Sequence, residues 1–179
     1  GFIFEPLIQG AGGMLTHDAY ALSEIIKLCK QNEIVTIADE VMTGFGRTGK
    51  MFACEYLTEQ PDIICLSKGI TGGFMAMGAT VVTDKVYQAF YSDTPKHTFL
   101  HGHSYTGNAL ACALAVANLE LFEKENTLNE VKRIEKKLEN FKLQIEDYES
   151  IRAVRHIGAI LAIELETQEA TSYFNTKGL

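Results

Sequence analysis

The chain has 179 residues, enough for one ordinary domain or roughly one and a half small ones. Its 46% apolar content is that of a protein with a real core and excludes a disordered tail. Sixteen Lys and Arg against 23 Asp and Glu leave a net charge of −7, which argues against a nucleic-acid binder, since that function needs a basic face.

In chain order, Phe2–Phe4 reads as a strand that stops at Glu5-Pro6, followed by a flexible Gly10-Ala11-Gly12-Gly13 loop. Thr16 to Asn32 reads as a helix with Asp18 in its first turn and an apolar face of Tyr20, Leu22, Ile25, Ile26, Leu28 and Cys29. Glu33 to Ala38 then reads as a fully buried strand ending at Asp39-Glu40. A loop over Thr43–Lys50 follows, then a short helical stretch around Phe52–Tyr56 and a break at Pro61. Strand Asp62–Leu66 ends at Ser67-Lys68-Gly69; a further strand covers Ala79–Val82 and a helix Asp84–Phe90.

The second half changes character. Thr106 to Lys124 reads as a long Ala-rich helix. In the next helix Leu128, Val131, Ile134, Leu138, Phe141 and Ile145 recur at helical spacing, and Val154 to Leu165 is strand-like. Strands alternating with helices predict an α/β fold with a parallel sheet. Composition shifts near Glu125, so we divide the chain there, into 1–125 and an incomplete unit 126–179. No apolar run approaches the ~18 residues a membrane helix needs; the longest, Ala109 to Ala117, stops at Asn118. Cys29, Cys54, Cys65 and Cys112 lack metal-ligand spacing, and their apolar neighbours suit buried thiols in a reducing, cytoplasmic compartment. The chain begins at Gly1 without a basic leader, so we expect a piece of something longer.

In a parallel α/β sheet, ligands collect at the carboxyl ends of the strands, and two ends here carry unusual residues. Asp39 follows an apolar run, where an ionised carboxylate is costly unless something cationic meets it. In an extended backbone Asp39 and Val41 point to one side of the sheet, offering a charge and a branched apolar surface. The commoner role of a lone Asp at such a place is to cap the following loop. Lys68 ends the strand Ile63–Leu66 and precedes a glycine, whereas most lysines are solvated surface groups. An amine with a reference pKa of ~10.4 becomes a nucleophile at neutral pH when desolvated or set near another cation, and a strand end at the mouth of a sheet supplies desolvation. A Lys and an Asp on adjacent strand ends match what pyridoxal phosphate needs: an amine to form the Schiff base and a carboxylate to keep the pyridine nitrogen protonated.

Two other patterns point elsewhere. Gly44-Phe45-Gly46-Arg47-Thr48-Gly49 has the GxGxxG spacing of a dinucleotide loop. Yet Asp39 and Glu40 stand where they would oppose a pyrophosphate, and no long helix follows. His97, His101 and His103 cluster, but with one i, i+4 pair and no carboxylate beside them they do not make a metal site.

Ile37-Ala38-Asp39-Glu40-Val41, Thr43-Gly44-Phe45-Gly46-Arg47-Thr48-Gly49, Pro61-Asp62-Ile63 and Ser67-Lys68-Gly69 together resemble the class III (subgroup II) pyridoxal-phosphate aminotransferases. Within that class, the segments Glu5–Met14, Phe52–Glu55 and His101–Asn108 resemble the branch that works in biotin biosynthesis. Ornithine- and GABA-type relatives tend to carry an acidic residue where Ala11 stands. The resemblance implies the fold type I large domain (mostly parallel sheet with flanking helices), its C-terminal half in 1–125, and the start of a small α+β domain after it. It also implies that Lys68 carries the cofactor and moves the proton, that Asp39 pairs with the ring nitrogen and that Val41 packs on the ring. Ser104 and His103 would reach the phosphate of a neighbouring subunit's cofactor, and Gly102 would meet substrate, so the site would be completed in a homodimer. The implied reaction moves an amino group from S-adenosylmethionine to 8-amino-7-oxononanoate, giving 7,8-diaminononanoate. The phosphate loop and aromatic stacker would lie upstream and a carboxylate-binding Arg downstream, beyond Arg152 and Arg155, so the fragment alone is expected to be inactive. The alternatives are an ω-amino acid or ornithine-type activity, or a non-catalytic dimerising module presenting its C-terminal helix.

Overall fold

The computed structural model describes residues 1–166; residues 167–179, the end of the expected second unit, lie outside them. Four strands, β1 (Phe2–Phe4), β2 (Thr36–Asp39), β3 (Ile63–Leu66) and β4 (Ala79–Val82), form one sheet in the order β1-β2-β3-β4. Helix α1 (Ala19–Gln31) joins β1 to β2. The pairs β1–β2 and β2–β3 are parallel, but β3–β4 is antiparallel. The sheet is thus mostly parallel, as expected, with β4 as its one antiparallel strand. The connection from Leu66 to Ala79 holds a single 3-10 turn, so no helix carries the chain back for a parallel crossover.

Helix α1 starts where its capping chemistry dictates. Asp18 is the N-cap rather than a first-turn residue, and its Oδ1 accepts the Ala21 N–H at 2.7 Å. Leu22, Ser23, Ile26 and Cys29 form its buried stripe, whereas Tyr20, Ile25 and Leu28 are exposed, which narrows the expected apolar face. The helix ends in a tight return: Glu33 takes a left-handed φ of 54° and the Ile34 N–H donates to Cys29 O at 2.9 Å. That return uses Ile34 and Val35 as connection, so both are exposed and the strand begins only at Thr36, not at Glu33.

The core packs Leu22 and Ile26 of α1 against Leu7, Ala38 of β2, and Ala53, Cys54 and Leu57, with Phe2, Phe4, Ile64 and Ile157 at its margin. Ala53–Tyr56 is a 3-10 turn, matching the short helical stretch expected there. A carboxylate lies inside this apolar packing. Glu40 is fully buried; Oε1 accepts the Cys54 N–H at 2.7 Å, and Oε2 accepts the Ala53 N–H at 3.0 Å and the Thr43 hydroxyl at 2.6 Å. Two free N–H groups at the start of a 3-10 turn are what a buried anion needs to offset desolvation. The adjacent Cys54 thiol is pushed far above its usual range, by burial first and then by the negative charge of Glu40.

The second half comprises α2 (Asp84–Phe90), α3 (Ala109–Lys124), α4 (Thr127–Ile145) and a hairpin of β5 (Ile151–Ile157) and β6 (Ile160–Leu165). Helix α3 begins later than expected because Asn108 caps it, accepting the Leu110 N–H at 2.9 Å. Asn126, with φ 54°, turns the chain between α3 and α4. On α4, Val131 and Ile145 are buried while Ile134 and Phe141 of the same expected stripe are partly exposed. The single strand-like stretch expected over Val154–Leu165 is two strands, because Gly158, at φ 55°, reverses the chain. Across the hairpin, Glu164 accepts from Arg155 and lies 3.3 Å from Arg152, which holds its carboxyl below the usual range. The turn sits on the loop after β2, where the Ala159 N–H donates to Arg47 O at 2.9 Å. Among the described residues no helix is long and apolar enough to cross a membrane.

Two substitutions test these contacts in the full-length protein. A Cβ on Gly158 would meet the backbone of Thr48 and Gly49 and lie 2.6 Å from Arg47 O. Gly158→Ala is therefore expected to cost more than about 2 kcal/mol, read as a lowered denaturant midpoint. Glu40→Gln turns an NH2 toward a backbone donor and is expected to cost about 2–3 kcal/mol in the same measurement. A Glu40→Gln midpoint equal to wild type would remove the role given to the buried carboxylate.

Candidate active site

The amino ends of β2 and β3 are tied together before the site begins. The Thr36 N–H and hydroxyl both donate to Asp62 Oδ2 at 2.8 Å, and the Asp62 N–H donates to Thr36 O at 3.0 Å. This clasp holds the register in which Asp39 lies opposite Cys65. Side chains alternate along a strand, so with Ala38 and Glu40 in the core, Asp39 faces the other side of the sheet. The Cys65 thiol is raised, by burial first and then by the charge of Asp39, while a hydrogen bond with Thr80 opposes the shift.

Asp39 is the last residue of β2, and Lys68 opens a 3-10 turn (Lys68–Thr71) just after β3. The two therefore stand at the carboxyl ends of adjacent parallel strands, as the sequence predicts. Asp39 also caps the following loop, its Oδ1 accepting the Val41 N–H at 3.0 Å while Oδ2 stays outside that turn. The extended backbone expected through Val41 is corrected by this turn: β2 stops at Asp39, and Val41 lies in the loop.

Lys68 departs from its expected surroundings in one respect and exceeds them in another. It is exposed and β3 is half-buried, so this chain does not supply the desolvation read from the sequence. Its backbone, however, is left-handed at φ 45°, a conformation that costs a non-glycine residue roughly 1–2 kcal/mol. Surrounding contacts hold it there. The Ser67 hydroxyl donates to Met77 O at 2.7 Å and the Thr71 hydroxyl to Met75 O at 2.6 Å. Gly69 is pressed against Phe45 so closely that a Cβ would lie 2.7 Å from Phe45 Cβ. From α3, Asn118 Nδ2 donates to Gly69 O at 2.9 Å and to Ile70 O at 3.2 Å. Strained residues of this kind persist where their surroundings over-determine them, and they concentrate at functional sites.

Lys68 borders a hollow of about 300 Å³ lined also by Phe45, Arg47, Asn118 and Phe122. A larger cavity of about 780 Å³ is lined by Ser67, Thr80, His101, Gly102, His103 and Asn108, among others. Within one chain Lys68 and the Gly102–His103 segment thus border different hollows, and Ser104 is exposed in the turn beside the larger one. The His103 ring is engaged locally, its Nδ1 accepting the Tyr105 N–H at 3.1 Å. The glycines of the GxGxxG spacing are used in packing: a Cβ on Gly46 would lie 3.2–3.5 Å from Phe122, Val131 and Leu128. Cys29 and Cys54 are buried as expected, but Cys65 and Cys112 are only partly so.

Two residues escape the sequence reading. Glu40 reads as half of an acidic pair, although an acid one step beyond an apolar β2 residue shares the parity of Ala38. Asn118 interrupts the longest apolar run in the chain, a signal for a polar side chain with a specific partner.

Comparison with known proteins bears out the resemblance. The model of the family "Aminotransferase class-III" matches residues 1–179. The adenosylmethionine-8-amino-7-oxononanoate aminotransferase of Staphylococcus aureus is 45% identical over 94% of this chain and 38% of its own length. The crystal structure of the enzyme of that name from Methanocaldococcus jannaschii superposes with a TM-score of 0.87 at 41% identity, covering 94% of this chain and 40% of that one. An ornithine aminotransferase from Plasmodium yoelii superposes at 0.80 and 31% identity, covering 92% and 42%. The chain therefore spans about two-fifths of the length of these relatives. Matched along its whole length by that family's model, with Lys68 and Asp39 at adjoining strand ends, the chain belongs to the class-III aminotransferases.

Proposed function

We propose that the full-length protein is a pyridoxal-phosphate-dependent aminotransferase of biotin biosynthesis, moving the amino group of S-adenosylmethionine to 8-amino-7-oxononanoate. The observation that carries this reading is the left-handed Lys68 at the end of β3, beside Asp39 at the end of β2. The names of the relatives at 45% and 41% identity support the choice of substrates, and Ala11, where ornithine- and GABA-type relatives tend to be acidic, supports it against an ornithine-type donor.

The donor set fits the cofactor. A primary amine and a carboxylate stand at the carboxyl ends of neighbouring strands, and neither forms an ion pair among the described residues. When bound, pyridoxal phosphate supplies an electron-accepting ring. Lys68 Nζ would hold the cofactor and would carry the proton moved at the substrate carbon. Asp39, whose Oδ1 takes the Val41 N–H, would keep the ring nitrogen protonated. Val41 would pack against the ring. Gly102 would contact substrate, while His103 and Ser104 would reach the cofactor phosphate of a neighbouring subunit. The separate hollows of Lys68 and Gly102–His103 support a homodimer with a shared site. Exposed aromatic and aliphatic side chains on and after α2 (Tyr87, Phe90, Tyr91, Phe99, Leu100) support it too. Division of the chain at Glu125, into half of the cofactor-binding domain and the start of a small one, belongs to the same proposal. The left-handed Asn126 between α3 and α4 supports it. Four free cysteines support a cytoplasmic setting.

Full-length protein mixed with pyridoxal phosphate is expected to gain visible absorbance, and borohydride reduction followed by peptide mapping to leave the label on Lys68. A label on another lysine would overturn the assignment. In a donor screen S-adenosylmethionine is expected to outperform ornithine and ω-amino acids; the reverse order would move the protein to the ornithine-type branch. Asp39→Asn keeps an acceptor for the Val41 N–H but removes the charge, and is expected to lower kcat by about 100-fold or more.

A further inference from the structure

We propose that Asn118 is a positioning residue for Lys68, holding the turn that presents the amine from the opposite side to the sheet; this rests on Lys68 being the cofactor-bearing residue. Asn118 lies in the middle of α3, on the stripe Ala111, Ala115, Asn118, Phe122. Ala111 and Ala115 are buried, and their small side chains let the helix backbone approach the Lys68–Thr71 turn closely. Asn118 then reaches across. Its Nδ2 donates to two consecutive carbonyls, Gly69 O at 2.9 Å and Ile70 O at 3.2 Å. Its Oδ1 lies over Gly72, where a Cβ would be 3.0 Å away.

These contacts bracket the residue whose conformation is unusual. Lys68 at φ 45° is followed by Gly69, wedged against Phe45, and the turn closes at Gly72, whose φ of 59° is also left-handed. The Ser67 and Thr71 hydroxyls secure the turn to the Met75–Met77 segment, whereas the hydrogen bonds that secure it to α3 come from Asn118. Losing them frees the turn to relax toward an ordinary right-handed Lys68, which re-aims the amine relative to Asp39 without touching any substrate contact. A side chain that serves stability alone would lower the unfolding midpoint and leave the chemistry at Lys68 as it was. A positioning residue changes the chemistry in a correctly folded protein.

The test uses full-length protein. Asn118→Asp preserves shape but turns an acceptor toward the two carbonyls, and Asn118→Ser, which shortens the side chain, decides the matter if the first variant does not fold. Ser23→Ala, which removes two hydrogen bonds away from the site, one to Ala19 O and one from the Thr58 N–H, controls for lost stability. The readouts are the rate at which apoprotein takes up pyridoxal phosphate in borohydride-fixable form on Lys68, the pH midpoint of the bound cofactor's visible absorbance, and kcat and KM with S-adenosylmethionine. The Asn118 variants are expected to slow uptake, shift the absorbance midpoint and lower kcat by about 10- to 100-fold with little change in KM. Wild-type uptake, midpoint and kcat in a folded Asn118 variant, or equal losses in Ser23→Ala at matched stability, would overturn the inference. A wild-type label on a lysine other than Lys68 would instead overturn the reading on which it rests.

Discussion

A buried carboxylate organises this half of the molecule. Glu40 accepts two backbone N–H groups from the turn at Ala53–Cys54 and a hydroxyl from Thr43, while its own N–H donates to Cys65 O at 2.9 Å on the neighbouring strand. One side chain thus joins the end of β2 to the loop after it and the 3-10 turn beyond, and its backbone joins the same point to β3. An ionised group in an apolar core survives only with such a complement of donors. Strand alternation carries the consequence to the other face: with Glu40 directed inward, the preceding Asp39 is directed outward, at the end of the sheet where a ligand can meet it. Two adjacent acids, chemically almost alike, therefore serve opposite purposes.

Lys68 is prepared differently. It is held through its backbone rather than through its amine, by a wedge between Gly69 and Phe45, by the hydroxyls of Ser67 and Thr71, and by Asn118 from α3. The loop of Gly44–Gly49 takes part on both sides of this arrangement. Phe45 presses on Gly69, Gly46 is covered by Phe122, Leu128 and Val131, and the hairpin turn at Gly158 rests on Arg47–Gly49. A glycine pattern that mimics a dinucleotide loop is here the place where α3, α4 and the hairpin meet the end of the sheet. The glycines permit close approach of packed side chains and backbone, not of a pyrophosphate.

Much of the chain could be read directly. Local rules locate β1, β3, β4 and α2 almost to the residue, and capping residues account for the small shifts at Asp18 and Asn108. Errors arise where a choice depends on what lies across from a segment. Ile34 and Val35 look like buried strand because they are β-branched, yet the return from α1 uses them as connection. The antiparallel β4 follows from the connection's lack of a crossover helix, a constraint of reach that periodicity does not contain.

The candidate site divides along the same line. Motif order alone singles out Lys68 and Asp39, because residue type and position at the ends of apolar runs are properties of the chain itself. Only the folded structure decides the left-handed backbone of Lys68, the inward turn of Glu40, and the two carbonyls that Asn118 bonds from 49 and 48 positions away. Backbone strain and long-range hydrogen bonds depend on which surfaces meet, and a linear pattern has no record of a partner that distant.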